Sequence, residues 1–414
     1  MATAGIAVVG ASLGGLRAAE QLRAAGWAGA ITVYGDETHL PYNRPPLSKE
    51  VLAGEAPATA TELRHRPSIG DVEWLLGTAV ESADLAARTL TLADGSVHAY
   101  EGLVAATGVR PRRLPLAGGP PRHVVRTLED SAGLRRQLGV GVRVLVIGSG
   151  FIGCEVAATA RKAGCEVTVV APEAEPMMLA VGEALGRVLR GRHEARGVRF
   201  RMGRLVSELR EGGVVLDDGS VCAADVVVEA VGSVPNVEWL RGGGGAGLGL
   251  DLTDGILCDA HLRIGGLPYA VAVGDVARFP NPRYGEVARR VEHWSMPADC
   301  AKHAARVLVA GLGGGASATS PASMPDGLAP FAPLPSFWSD QFDVRVQSFG
   351  LPGVGERVRL LEGDAGAEEG DVVFGYYVGE RLVGVVALGG GRAGGLAGRY
   401  RGELMVVPEA EKVP

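Results

Sequence analysis

The chain has 414 residues, enough for two or three domains with sizeable cores. Its 41 Lys and Arg against 47 Asp and Glu leave a net charge of −6, which argues against a nucleic-acid binder, and no apolar run approaches the ~18 residues of a membrane span. Aromatics are 5% and glycines number 63, so the core must be mainly Val, Leu, Ile and Ala, in a chain with about twice the usual ~7% share of glycine.

From residue 6 the pattern reads strand, helix, strand, at 6–9, 16–25 and 31–34. A proline-rich loop is predicted over 41–48, and alternating stretches follow near 72–80, 88–92 and 97–100. Residues 102–107 read as an apolar strand running into Thr107-Gly108, and the proline-rich stretch 109–122 as a crossover linker. A second unit repeats the plan: strand 143–147, helix 151–163, strand 166–170, helix 180–195 and strand 198–200. Hairpin-like segments are expected over 203–222, with Asp217-Asp218-Gly219 as a turn signal, and then a strand over 225–230. The glycine-rich run 241–249 reads as a flexible turn. Residues 269–275 form a strand ending in Asp275, 297–310 a helix, and 311–335 a linker. Beyond 337 the pattern is β-rich, with strands at 344–349, 372–378 and 381–387.

Two glycine-rich signatures, 138 residues apart, dominate this plan. Each follows a β-branched apolar run and opens an alanine-rich helix. That context suits a dinucleotide turn: glycine permits the tight bend and close approach of a pyrophosphate, and the free helix N-terminus holds it. In the first signature Gly10, Gly14 and Gly15 form the turn, with Leu13 inside it and Ser12 where the usual pattern has glycine. Asp36, 21 residues after Gly15, falls where a ribose diol acceptor belongs, with Glu37 beside it as the fallback. In the second, Gly148, Gly150 and Gly153 fit G-x-G-x-x-G. Its partner strand runs into Ala171-Pro172-Glu173, so the terminal acid is absent and Glu173 is the nearest candidate for a ribose. No Lys or Arg stands there for a 2′-phosphate, which leans towards NAD(H) and leaves NADP(H) open. Gly274-Asp275 is a third phosphate-side element.

Two such turns imply electron traffic between two dinucleotides. Lys49, closing a loop stiffened by prolines, could stand as a cation near flavin N5, with Glu155 as its counter-ion. The five cysteines (154, 165, 222, 258 and 300) are scattered with no Cys-x-x-Cys, so no redox dithiol is expected beside the flavin. Electrons must then leave directly to an outside acceptor. The dispersed histidines suggest no metal site. An odd cysteine count and a start without a charged-then-apolar leader predict reduced thiols in a cytoplasmic protein.

These residues together resemble the FAD-dependent ferredoxin reductases that serve bacterial oxygenases. The resemblance rests on segments 10–15, 40–49, 106–112, 126–130, 150–157, 273–277, 290–294 and 337–341, the last reading Phe-Trp-Ser-Asp-Gln. It implies an α/β, glutathione-reductase-like fold: two Rossmann-type dinucleotide-binding domains plus a C-terminal α/β domain. The FAD domain would be discontinuous, 1–112 and 240–320. The NAD domain would be 113–239 and the C-terminal interface domain 323–414. It further implies FAD contacts from Gly14, Asp36, Arg44, Lys49, Val80, Thr107, Gly108, Arg126, Asp275 and Trp294. NAD contacts would come from Gly150, Phe151, Ile152, Gly153, Glu155 and Gly232. Trp338 would face the redox site. The implied activity is NAD(P)H:ferredoxin oxidoreduction, with an iron–sulfur ferredoxin as partner and a haem-thiolate or Rieske oxygenase downstream. Arg64, Arg66, Arg110, Arg112, Arg113, Arg289 and Arg290 are candidates for a ferredoxin docking patch. An NADH oxidase or quinone-type flavin reductase, and an apoptosis-factor-like flavoprotein with a binding role, are the alternatives on the same architecture.

Overall fold

The computed structural model describes residues 5–241, 249–313, 327–367 and 369–406. The glycine-rich turn read at 241–249, the linker core of 311–335 and the boundaries near 320 and 323 fall wholly or mainly outside them.

Two parallel sheets share one plan. In the first, Ile6–Val9 is central, with Ile31–Tyr34 and Glu73–Leu75 on one side and Gly102–Ala105 and Ala270–Ala272 on the other. In the second, Arg143–Ile147 is central, flanked by Glu166–Ala171 and Arg199–Met202, and by Val226–Glu229 and Arg122–His123. The fifth strands differ in origin. The first sheet takes its fifth from the chain after the second unit, and the second takes its fifth from the chain before it. Strands such as Ile6–Val9 and Val226–Glu229 are buried along their whole length, because helices or loops cover both faces. The helices Leu13–Ala24 and Met296–Gly311 pack on the first sheet, and Phe151–Lys162 on the second.

The chain crosses between these units through a short antiparallel ribbon, Val109–Pro111 against Ser233–Pro235. Linker 109–122 is therefore not free. Glu229, 2% exposed, accepts from Arg113 at 3.0 Å, Arg122 at 2.8 Å and the Leu114 amide at 3.1 Å. A buried carboxylate needs such partners, and here they fix the linker against the strand end.

The C-terminal part is an antiparallel sheet in the order Ser336–Gln341, Val344–Gly350, Arg381–Gly389, Val372–Val378, Arg357–Glu362. Short helices Ala393–Gly398 and Arg401–Leu404 pack on it. Four sequence expectations are adjusted, the first being the strand read at 269–275: it ends at Ala272, and Asp275 sits in a 3-10 turn, Gly274–Val276. The first helix begins at Leu13 rather than 16, directly from the glycine turn. The proline loop contains a 3-10 turn, Pro45–Ser48. The helix expected at 180–195 spans Met178–Glu194 but breaks at Gly182, whose φ is 73°. Among the described residues no helix is long and apolar enough to cross a membrane.

Candidate active site

Both glycine turns are built alike, down to their hydrogen bonds. The Gly10 amide donates to Tyr34 O and the Gly148 amide to Val170 O, each at 2.8 Å. The Ala106 amide donates to Val9 O and the Ala230 amide to Ile147 O, each at 2.7 Å. Gly10 has φ 117° and Gly148 φ 100°, a region that glycine adopts without cost. A Cβ on either would press into the carbonyl of Ala106 or Ala230. Gly15 and Gly153 in turn lie against the carbonyls of Gly10 and Gly148.

Beyond each turn a helix starts with no side-chain cap and no acid in its first turn, so its leading N–H groups are left for an anion. A Cβ on Gly150 would meet nothing within 4 Å, an open cradle above the second helix. This is the fit that a pyrophosphate requires.

Both turns open into one cleft of about 1600 Å³, more than an ordinary single-ligand pocket. Every cofactor candidate named from the sequence lines it except Gly15 and Gly153, which pack beneath their turns. On the first side stand Gly10, Ser12, Leu13, Gly14, Asp36, Glu37, Arg44, Lys49, Val80, Thr107, Gly108, Arg126, Gly274, Asp275 and Trp294. On the second stand Gly148, Gly150, Phe151, Ile152, Glu155, Glu173 and Gly232. Asp36 is exposed, and its carboxylate has no partner among the described residues. Glu37 is occupied: it accepts from Arg44 and from the Tyr42 hydroxyl, each at 2.5 Å. Arg126 and Asp275 face each other at 3.7 Å, too far for a tight pair. Burial and the neighbouring Arg44 lower the Arg126 pKa, while burial raises that of Asp275 against the pull of Arg126. Two charged groups so incompletely satisfied beside a helix start suit a polar ligand with both phosphates and hydroxyls.

Lys49 and Glu155 meet where the two sides of the cleft join. The Lys49 Nζ–Glu155 Oε2 distance is 2.9 Å, with the side chains 12% and 5% exposed. Ser48 Oγ donates to the same oxygen at 2.5 Å, and Thr159 donates to the Ser48 carbonyl at 2.8 Å. The 3-10 turn that ends at Ser48 is what delivers Lys49 there. Phe337 stands over this junction, with ring centroids 4.8 Å from Phe151 and 5.1 Å from His293. At the cleft mouth Trp294 donates to Asn43 Oδ1 at 2.8 Å and packs edge-on to Trp338 at 5.5 Å. No cysteine lines the cleft, and among the described residues no metal-ligand cluster occurs. The buried Cys154 thiol, pushed up by burial, donates to Ser149 O at 3.3 Å.

The arginines considered for docking are mostly engaged within the chain. Arg66 reaches Glu20 at 3.5 Å, Arg110 Glu238 at 2.7 Å, and Arg290 Asp254 and Glu292 at 2.7 and 2.6 Å. Arg113 holds Glu229, and Arg112 and Arg289 donate to backbone carbonyls. Sequence reasoning missed Ser48, Tyr42, Thr159, His293 and Phe337 as parts of the site. The motif at 337–341 was the signal for the last of these.

The pyridine nucleotide-disulphide oxidoreductase family model matches residues 4–301, and a reductase C-terminal model matches 336–400. The chain is 36% identical to the ferredoxin–NAD(+) reductase component of the anthranilate 1,2-dioxygenase system of Burkholderia cepacia, covering 95% of this chain and 92% of that one. It is 34% identical to putidaredoxin reductase of Pseudomonas putida, over 92% of this chain and 85% of that one. Among solved structures, the covalent putidaredoxin reductase–putidaredoxin complex superposes with a TM-score of 0.82 at 32% identity, covering 95% of this chain and 91% of that chain.

Proposed function

The chain belongs to the pyridine nucleotide-disulphide oxidoreductase family as an FAD-dependent oxidoreductase of the ferredoxin reductase kind, and from that premise we propose that it carries electrons from NADH to an iron–sulfur ferredoxin serving a haem-thiolate or Rieske oxygenase. The observation that carries this reading is the Lys49–Glu155 pair, set where both glycine turns share one cleft that has no cysteine in its lining. The supporting division assigns 1–112 with 240–320 to FAD, 113–239 to the nicotinamide and 323–414 to the C-terminal domain.

When bound, FAD supplies the conversion of one two-electron hydride from the nicotinamide into single electrons for the ferredoxin. The residues do the rest. The turn at Gly10 and the helix start after Ser12 hold the pyrophosphate, Asp36 accepts from ribose hydroxyls, and Arg126 and Asp275 hold the phosphate and polyol side. The turn at Gly148 and the cradle over Gly150 hold the nicotinamide dinucleotide. Lys49 keeps a positive charge at the junction, and Glu155 fixes where that charge sits. Phe151, Phe337 and His293 wall the junction against water. With no dithiol in the lining, electrons have no internal sulfur to reach.

The decisive experiment is anaerobic stopped-flow reduction by NADH, followed by mixing with a panel of ferredoxins or with oxygen. Transfer to at least one ferredoxin must outrun transfer to oxygen. If oxygen wins against every ferredoxin, the protein is an oxidase and this reading is wrong.

Cofactor preference has its own test. Arg204, whose amide donates to Ala171 O at 3.0 Å, lines the cleft beside Glu173, and its Nε is 2.8 Å from Asp218. A cation so placed would serve a 2′-phosphate, but Asp218 neutralises it. Asp218→Asn is expected to raise kcat/KM for NADPH about tenfold, the worth of one charge-assisted contact, and to leave NADH within about twofold. Steady-state kinetics with both donors decides this, and an unchanged ratio removes Arg204 from donor choice.

A further inference from the structure

The strand Ser336–Gln341 turns two polar residues into the core, against the Lys49–Glu155 pair. We propose that Ser339 and Gln341, backed by His193, are positioning residues for Glu155: they aim a fixed line of hydrogen-bond donors at its carboxylate and so set how readily a flavin beside Lys49 is reduced. The inference rests on the redox reading above.

Alternation along the strand puts Phe337, Ser339 and Gln341 on its buried face. Ser339 is 0% exposed and Gln341 1%. Polar side chains are costly there unless each is satisfied, and most interior positions of the same sheet are apolar, Val346, Val372 and Val386 among them, with Ser348 a further small polar exception. These two residues are satisfied in one direction only. Ser339 Oγ lies 2.7 Å from Glu155 Oε1. A carboxylate only accepts, so the Ser339 hydroxyl donates. Its oxygen then accepts from Gln341 Nε2 at 3.0 Å. That orients the amide and turns Gln341 Oε1 to His193 Nε2, 2.7 Å away. The imidazole must therefore carry its proton on Nε2.

Two further facts agree with that tautomer. His193 Nδ1 has no partner, and burial pushes the imidazole down to about 4, so the ring is neutral at physiological pH. Every proton on the line thus points from His193 through Gln341 and Ser339 to Glu155. Aligned donors polarise one another, which strengthens the last bond. At the opposite carboxylate oxygen Ser48 and Lys49 complete the set. The line joins four parts of the chain: the loop bearing Lys49, the helix bearing Glu155, the C-terminal sheet and the helix bearing His193.

The test uses FAD-loaded protein carrying Ser339→Ala or Ser339→Thr, each alone and with Glu155→Gln. Two quantities are read: the midpoint potential of the bound flavin in a dithionite titration against a reference dye, and stopped-flow reduction by NADH, resolved into Kd and limiting rate. Loss of the hydroxyl leaves the Glu155 charge less well compensated, so Ser339→Ala should shift the reduction equilibrium about threefold towards oxidised flavin. The limiting rate should fall about tenfold with Kd for NADH within about twofold. Ser339→Thr keeps the hydroxyl and should retain both values. In the Glu155→Gln background Ser339→Ala should add nothing. Gln341→Met, which keeps Ser339 and removes only its orienting donor, should move the potential in the same direction by less, and stands in if Ser339→Ala does not fold.

The proposal is overturned if Ser339→Ala leaves potential and rate unchanged, if Ser339→Thr shifts them as far as Ser339→Ala, or if the effect survives undiminished beside Glu155→Gln. An unsubstituted protein that NADH does not reduce would sink the redox reading, while the dithionite titration would still decide the positioning role.

Discussion

Lys49→Met will slow reduction of the bound flavin by NADH about 100-fold, the usual cost of removing one preorganised charge from a reacting centre. Methionine keeps the length and apolar stem of lysine, so the turn Pro45–Ser48 should hold and flavin content per chain should stay near that of the unsubstituted protein. What goes is the ammonium that faces Glu155 at 2.9 Å. Glu155 would then be a buried carboxylate with only Ser48 and Ser339 as donors, a loss that typically costs about 3–5 kcal/mol. Lys49→Met with Glu155→Gln should therefore recover melting temperature without recovering rate. Lys49→Arg should not rescue the rate, because a planar fork cannot occupy the place of a compact point charge. Anaerobic stopped-flow and a thermal melt measure both halves. A Lys49→Met protein within about threefold of the parent rate would mean that this cation plays no part in hydride transfer.

The paired glycine turns allow a matched experiment. Gly10→Ala is expected to leave the protein without flavin, whereas Gly148→Ala should keep the flavin and lose NADH. In both cases the new Cβ meets a backbone carbonyl that cannot step aside, at a φ that alanine avoids. Strain of that kind, with overpacking, costs about 3 kcal/mol or more, or at least about 100-fold in binding. The Gly148→Ala flavin should still bleach with dithionite but no longer with NADH at ordinary concentrations. Flavin content by absorbance and NADH titration by calorimetry read the two outcomes. If both variants lose flavin alike, or both retain it, the assignment of one turn to each dinucleotide is wrong.

Much of this was legible because it is local. A β-branched run into glycines and an alanine-rich helix specifies its own turn, and Ile6–Val9, Ile31–Tyr34 and Arg143–Ile147 fall where the pattern puts them. The lysine was legible as a candidate because prolines precede it. The strand Ser336–Gln341 is not legible as a strand, for a physical reason. Two of its three buried positions, Ser339 and Gln341, are polar, while the large apolar Trp338 stands on the other face, so past Phe337 hydropathy has the wrong sign. Arg357–Glu362 escaped for the opposite reason. It is a sheet edge with Val358 and Leu360 exposed, and its pattern reports no core face. The partners of Glu155 come from residues 48, 49 and 339, and no window along the chain contains them together. Gly153, which shares a motif with cleft-lining residues, shows the limit of motif reading: its work is to let a helix approach a carbonyl.

The ribbon of Val109–Pro111 against Ser233–Pro235 has a consequence for how such a chain can be remade. The Arg112 amide donates to Gly232 O at 2.9 Å, so the strands that leave the first sheet and return to it are immediate neighbours. The chain enters and leaves the intervening unit through one doorway, while side-chain contacts such as Lys49–Glu155 and Ser131–Leu47 hold that unit elsewhere. A tight hairpin could close that doorway with no change of span in the first sheet. By the same geometry another unit with adjacent ends could be joined there without a change of span, provided that it also met the loop bearing Leu47 and Lys49.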